Sequence, residues 1–96
     1  MPKLTVKPVL IGKKLNRLEI FLNDQFIGEY ERSQEADIDR KTEEINCASE
    51  LLLKIFKKYG KFTVRWDGSQ HKKSIRVKGK EVASIPKECW RKPSWE

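Results

Sequence analysis

The sequence predicts a single α+β domain in which an antiparallel sheet of five to six strands packs on one long amphipathic helix, in the order βββ-α-βββ. Apolar and polar residues alternate on both sides of the middle of the chain, which is typical of half-buried strands. Between Asp37 and Tyr59 the apolar residues instead recur at helical spacing. Because one helix can cover only one face of a sheet, we expect the other sheet face to remain open.

The first three strands are predicted on the N-terminal side of the helix. The first runs from Leu4 to Ile11 and should lie at a sheet edge or be bulged, because Pro8 cannot donate a ladder hydrogen bond. The second and third, Arg17 to Leu22 and Gln25 to Tyr30, flank the pair Asn23-Asp24. Both residue types tolerate the positive φ angles of a two-residue turn, so the pattern predicts a β-hairpin.

The amphipathic helix is predicted from an apolar stripe made of Ile38, Ile45, Ala48, Leu52, Ile55, Phe56 and Tyr59. Acidic residues lie in its first half, and lysines at 54, 57 and 58 precede Gly60. This order complements the helix macrodipole, and a glycine is the usual residue just after a helix. Helix electrostatics alone therefore explain part of the charge distribution of the chain.

Three further strands are predicted after the helix, at Lys61 to Trp66, Ser74 to Lys78 and about Glu81 to Ile85. Alternation places Trp66 in the core, and Pro86 ends the regular structure. The domain is expected to cover residues 1–90, with 91–96 as a C-terminal tail that is frayed or docked. With 96 residues, the chain is large enough for one core and too small for two.

Composition excludes several classes of protein. No apolar run approaches the roughly 20 residues of a membrane span, and no signal-peptide core is present, so we expect a cytoplasmic protein that binds no membrane. Cys47 and Cys89 are too few for a disulfide framework, which predicts reduced thiols. His71 has no partner at metal-ligand spacing, so we expect no metal and no cofactor. His71 is more simply interpreted as a solvated turn residue than as a catalytic one. The sequence also contains no catalytic motif, so we do not expect an enzyme.

Charge is sorted along the chain. The net charge of +7 divides into +5 for residues 1–18, −7 for residues 19–50 and +9 for residues 51–96. The C-terminal basic residues fall on outward strand positions and in the adjoining loops: Lys61, Arg65, Lys72, Lys73, Arg76, Lys78 and Lys80. If the strands pair across the 67–73 connection, Arg65 and Arg76 become near neighbours, and a polyanion would relieve their repulsion.

This basic face predicts a non-enzymatic nucleic-acid-binding protein that contacts phosphates, with DNA and RNA both open. A solvated basic face without a partner is the simpler reading. The alternative function is a small adaptor or inhibitor, of the kind phages and mobile elements encode, that binds a nucleic-acid-processing protein. It would use acidic residues near the helix start and tryptophans of the tail: Glu35, Asp37, Asp39, Glu43, Trp90 and Trp95. Docking of the tail on its own sheet remains open.

Overall fold

The structure is a computed structural model that describes residues 3–31 and 38–90. Its strands form one sheet in chain order: β1 (Leu4–Ile11), β2 (Lys14–Leu22), β3 (Gln25–Glu31), β4 (Phe62–Asp67), β5 (Lys72–Val77) and β6 (Lys80–Ser84). Two helices, α1 (Ile38–Cys47) and α2 (Ser49–Tyr59), connect β3 to β4, and a short 3-10 helix at Lys87–Cys89 follows β6. The α+β class and the approximate order βββ-α-βββ are confirmed.

The sheet is mixed, so the prediction of an antiparallel sheet is wrong. β3 and β4 pair in parallel, with Gly28 opposite Phe62 and Tyr30 opposite Val64, whereas the other neighbouring strands are antiparallel. The physical reason is the crossover: the helices carry the chain back along the sheet, and β4 therefore starts at the same end as β3. The hairpin at Asn23-Asp24 is confirmed, and Asn23 has the expected positive φ of 57°.

The predicted long helix is two helices. Ala48 separates them with φ −95° and ψ 13°, although backbone hydrogen bonds from Ala48 to Glu44 and from Leu52 to Ala48 continue across the break. α1 packs on β1, where the Asn46 amide hydrogen-bonds both the N–H (2.8 Å) and the C=O (3.1 Å) of Leu4, whereas α2 packs on β4. Because strand directions rotate across a twisted sheet, a chain segment that follows two distant strands has to bend.

The core lies between the helix pair and one sheet face. The helical stripe predicted from the sequence supplies Ile45, Ala48, Leu52 and Ile55, all of which are buried. The sheet supplies the alternating residues that face them: Leu4, Leu18, Ile20, Tyr30, Phe62, Val64, Ile75 and Val77. Trp66 does not join this core, because it lies near the end of β4 against His71 and Trp90 and is 47% exposed. Its predicted core position is wrong.

Cys47 and Cys89 form a disulfide with a Cα–Cα distance of 5.6 Å, so the prediction of reduced thiols is wrong. The spacing of 42 positions gave no sign of the contact. The bond joins the end of α1 to the segment after β6, while Asn46 beside it holds β1. α1 is therefore fastened to the first strand and to the segment after the last one. Stable disulfides are uncommon in cytosolic proteins, and the cytoplasmic location stays a prediction.

Replacing Gly28 with alanine should destabilise the protein by about 1–3 kcal/mol, the usual cost of overpacking. A Cβ at this position would lie 2.7 Å from the carbonyl oxygen and the ring of Phe62 in the adjacent strand. Urea unfolding measures the loss. Gly68→Ala is the matched control, since the nearest atom to its new Cβ would be the Trp66 Nε1 at 3.4 Å. Equal stability of the two variants would contradict the expected close packing of β3 on β4.

Reduction of the Cys47–Cys89 disulfide should lower the free energy of unfolding by about 2–4 kcal/mol, because the bond restricts the unfolded chain. Urea unfolding with and without dithiothreitol measures the change. The double variant Cys47→Ala, Cys89→Ala should be less stable than the oxidised protein and insensitive to the reductant. A wild-type unfolding midpoint that does not move on reduction would disprove the expected contribution.

Candidate nucleic-acid interface

The open face of the sheet carries part of the predicted basic set. Alternation along β4 and β5 turns Thr63, Arg65, Ser74 and Arg76 away from the helices. Pairing places Arg65 opposite Ser74 and Thr63 opposite Arg76, so the two arginines are diagonal neighbours and not directly opposite each other. Arg76 Nε donates to the Ser74 hydroxyl at 3.4 Å. Arg65 and Arg76 are therefore close to each other, as predicted, but as diagonal neighbours.

Acidic side chains from other strands reach the same open face and neutralise much of it. Arg17 on β2 lies 3.0 Å from the Glu29 carboxylate and 3.7 Å from that of Glu19. The remaining pairs join β4 to β3 and β5 to β6: Arg65 Nε with Glu31 (4.0 Å) and Lys72 Nζ with Glu81 (2.5 Å). The open face is consequently a surface of mixed charge, which the sequence did not reveal because most of these acids belong to the negative middle segment.

Lys73 does not lie on the open face. It shares the helix-facing side of β5 with Ile75 and Val77, is 8% exposed, and places its Nζ 2.5 Å from Glu44 Oε2. A lysine ammonium held against a buried carboxylate cannot also contact a phosphate at the surface. The assignment of Lys73 to a phosphate-binding face is therefore wrong.

Glu44 is the centre of a buried polar cluster between α1 and the sheet, formed with Tyr30, Lys41 and Lys73. Its two carboxylate oxygens accept from the Tyr30 hydroxyl at 3.0 Å and from Lys73 Nζ. Burial and the Glu44 charge raise the pKa of the Tyr30 phenol above its ordinary value. Lys41 Nζ donates to the Tyr30 oxygen at 3.3 Å. Burial, with smaller contributions from the positive charges of Lys73 and Arg40, lowers the pKa of Lys41 to about 8 against the opposing effect of Glu44.

A stronger concentration of positive charge lies at one end of the sheet, here called the basic end: Lys57, Lys58, Lys61, Lys78 and Lys80. All five are exposed. Two come from the last turn of α2, one precedes β4, one lies in the β5–β6 turn and one begins β6. Because Thr63 near the start of β4 pairs with Arg76 near the end of β5, these segments meet at the same sheet end. Asp24, in the β2–β3 turn, also lies there.

Lys57 and Lys58 were not predicted as interface residues, because their position at a helix end already has an electrostatic explanation. The helix end lies beside the β5–β6 turn because α2 is followed closely by the start of β4, which pairs antiparallel with the end of β5. Of the predicted set, Lys61, Lys78 and Lys80 are brought together at the basic end with Arg76 close by, whereas Arg65 and Lys72 are paired with acids.

Trp90 packs on its own domain. Its indole N–H donates to the Ile85 carbonyl at 3.1 Å, and its ring lies 5.8 Å from the Trp66 ring and 5.1 Å from Lys73 Nζ. Among the other residues of the predicted partner surface, Asp39 and Glu43 are exposed on α1. Glu35, Asp37 and Trp95 lie outside the described residues.

His71 has φ 51° in the β4–β5 connection and packs against Trp66 and Trp90. Residues 3–31 and 38–90 contain no group of three or more His, Cys, Asp or Glu side chains arranged to hold a metal ion. Within the same ranges, no helix has the length and apolar character needed to cross a membrane.

Comparison of the chain with protein-family models, curated proteins and solved structures gave no significant match.

Replacing Glu44 with glutamine should destabilise the protein by about 3–5 kcal/mol, because Lys73 would keep a buried charge without its counterion. The matched control is Glu43→Gln on the exposed side of the same helix, for which a loss of at most about 1 kcal/mol is expected, the upper range for an exposed charged side chain. Urea unfolding at neutral pH compares the two variants. Similar stabilities would show that the buried polar cluster is not an electrostatic anchor between helix and sheet.

Proposed function

We propose that this protein binds nucleic acid without catalysing a reaction, by contacting phosphates through the basic end and Arg76. The observation that carries the proposal is the convergence of five exposed lysines from three elements at one end of the sheet. Lysines so placed repel one another, and a phosphate backbone would relieve that repulsion and release its own counterions. The arrangement favours contacts to the backbone, so we expect weak dependence on base sequence.

The proposed surface differs from the uniformly basic sheet face expected from the sequence. Arg65 and Lys72 would have to leave Glu31 and Glu81 before they could contact a phosphate. Exposed ion pairs of this kind contribute roughly 0–1 kcal/mol to stability. Replacing the carboxylate partner with a phosphate therefore costs little, but it also adds little binding free energy. Lys61, Lys78 and Lys80 therefore contribute more to the proposed binding than Arg65 and Lys72 do.

The adaptor or inhibitor function is the alternative proposal. It is supported by the exposed acids Asp39 and Glu43 on α1 and by Trp66, which is 47% exposed. Since Trp90 is held by its own domain, the partner surface would be formed by α1 or Trp66 and not by Trp90. Affinity capture with and without nuclease separates the two functions: partners lost after nuclease support nucleic-acid binding, and one stoichiometric protein that is retained supports the adaptor.

The triple variant Lys61→Gln, Lys78→Gln, Lys80→Gln should bind nucleic acid at least about tenfold more weakly than wild type at low salt. Fluorescence anisotropy with single- and double-stranded DNA and RNA, over a range of salt concentrations, measures both affinity and salt dependence. The slope of log affinity against log salt should fall by about two to three units, because each lost phosphate contact removes about 0.9.

The control for this experiment is Lys7→Gln, Lys13→Gln, Lys14→Gln, which removes the same charge from the β1–β2 hairpin. Lys13 and Lys14 lie at the opposite end of the sheet, and all three lysines are exposed. An equal loss of binding in both triple variants would show that net charge, and not the basic end, is responsible. Absence of salt-sensitive binding by the wild-type protein would refute the proposed function.

A further inference from the structure

An aromatic pair lies on the open face of the sheet, close to the basic end. Phe21 follows Ile20 in β2, and because Ile20 is buried against the helices, alternation turns Phe21 to the open side. Phe26, near the start of β3, pairs with Phe21, and the centroids of the two rings are 5.6 Å apart. Both residues are partly exposed. The open face therefore presents two aromatic rings among its charged side chains.

A lysine lies over each of these rings. Lys7 Nζ is 4.9 Å from the centroid of the Phe21 ring, and Lys61 Nζ is 5.0 Å from that of Phe26. Both lysines are exposed, and Lys61 is a member of the basic end. The aromatic pair is therefore continuous with the proposed phosphate-binding surface.

From this arrangement we propose that the nucleic acid is single-stranded and that its unpaired bases stack on Phe21 and Phe26, while Lys61 contacts the adjacent phosphate. The inference rests on the proposed function and deepens it by naming the class of nucleic acid. In a duplex the faces of the bases are stacked on one another, so rings on a sheet surface cannot reach them, whereas splayed single strands expose them. Every base has a π face, which makes stacking tolerant of sequence.

The lysines over the rings do not prevent stacking. Each ammonium is carried on a flexible four-carbon stem and can turn from the ring to a phosphate. An exposed cation–π contact changes an equilibrium constant by roughly two- to fivefold, whereas a base stacked on an aromatic side chain changes it by roughly five- to 150-fold. The base is therefore the preferred occupant of the ring face. Lys7 only has to move aside, and Lys61 exchanges its ring contact for a phosphate contact.

The polar neighbours of the aromatic pair suit a nucleic acid. Thr5 lies opposite Phe21, and Thr63 lies opposite Arg76 in the β4–β5 pair. Hydroxyl and guanidinium groups are common donors to phosphate oxygens. Apart from Asp24 in the β2–β3 turn, the acids of β2 and β3 lie farther from the basic end: Glu19, Glu29 and Glu31. The stacking surface therefore lies between these acids and the basic end.

Fluorescence anisotropy with the full chain tests the proposal. The probes are oligo(dT) of about 15 nucleotides, within the site sizes of single-strand-binding folds, and a duplex of the same length. Wild type should bind the single strand at least about tenfold more tightly than the duplex at the same salt. The double variant Phe21→Leu, Phe26→Leu keeps apolar side chains without π faces, and it should bind oligo(dT) at least about tenfold more weakly. Its salt slope should not change, because every lysine is retained.

Two control variants separate stacking from a structural role of the rings. Phe21→Tyr, Phe26→Tyr retains both π faces and should bind oligo(dT) within about twofold of wild type. Trp66→Leu removes an exposed aromatic ring at the opposite end of the sheet and should leave oligo(dT) affinity unchanged. Ultraviolet cross-linking of wild type to an oligonucleotide that contains 5-iodouracil requires no variant, and it should label Phe21 or Phe26.

Equal affinity of wild type for single strand and duplex, oligo(dT) affinity unchanged in the leucine variant, or cross-links only at other residues would overturn the stacking inference. In each of these cases salt-sensitive binding to the basic end would still stand. Absence of salt-sensitive binding to both probes would instead refute the proposed function, and the inference with it.

Discussion

The fold depends on a carboxylate that is enclosed where helix and sheet meet. Glu44 is fully buried on α1, and its oxygens are held by Tyr30 from β3 and by Lys73 from β5. Burial of an unpaired charge costs several kcal/mol, so this carboxylate tolerates few positions of the helix over the sheet. Apolar contacts between α1 and the sheet could slide past one another. The two hydrogen bonds to Glu44, together with the one that Lys41 of the same helix donates to Tyr30, are directional and fix the position of the helix over two strands.

The last turn of the same helix is also bonded to the first strand of the sheet and to the segment after the last strand. Asn46 holds the backbone of Leu4 in β1, and the adjacent Cys47 is bonded to Cys89 after β6. α1 thus connects β1 to the segment that follows β6. In the described part of the chain, these two edge strands do not pair with each other. The bend at Ala48 is compatible with this role, since α2 can then follow β4 while α1 remains attached to β1.

The parts of the structure that were predictable from sequence are those set by local periodicity. Alternation gave the strands to within a few residues, and the stripe through Ile45, Leu52 and Ile55 gave the buried face of the helices. The errors concern relations between distant residues. Nothing local distinguishes a parallel from an antiparallel β3–β4 pair, and the Glu44–Lys73 contact spans 29 positions. Lys73 was misplaced because the predicted strand began at Ser74 and left it in the preceding loop, whereas β5 begins at Lys72 and alternation then puts Lys73 on the face of Ile75 and Val77.

Sequence-level charge sums failed for a related physical reason. Exposed charges interact over about 8–10 Å at physiological salt, so a segment total matters only if its members share a surface. The fold separates the members of the positive C-terminal segment: Lys73 is neutralised inside the domain, and Arg65 and Lys72 meet acids from other strands. The fold also brings Lys57 and Lys58 to the basic end, although the sequence analysis had attributed these two lysines to the stability of the helix. A lysine that complements the dipole of α2 loses none of its charge by doing so, and it remains available to an external phosphate at the same helix end.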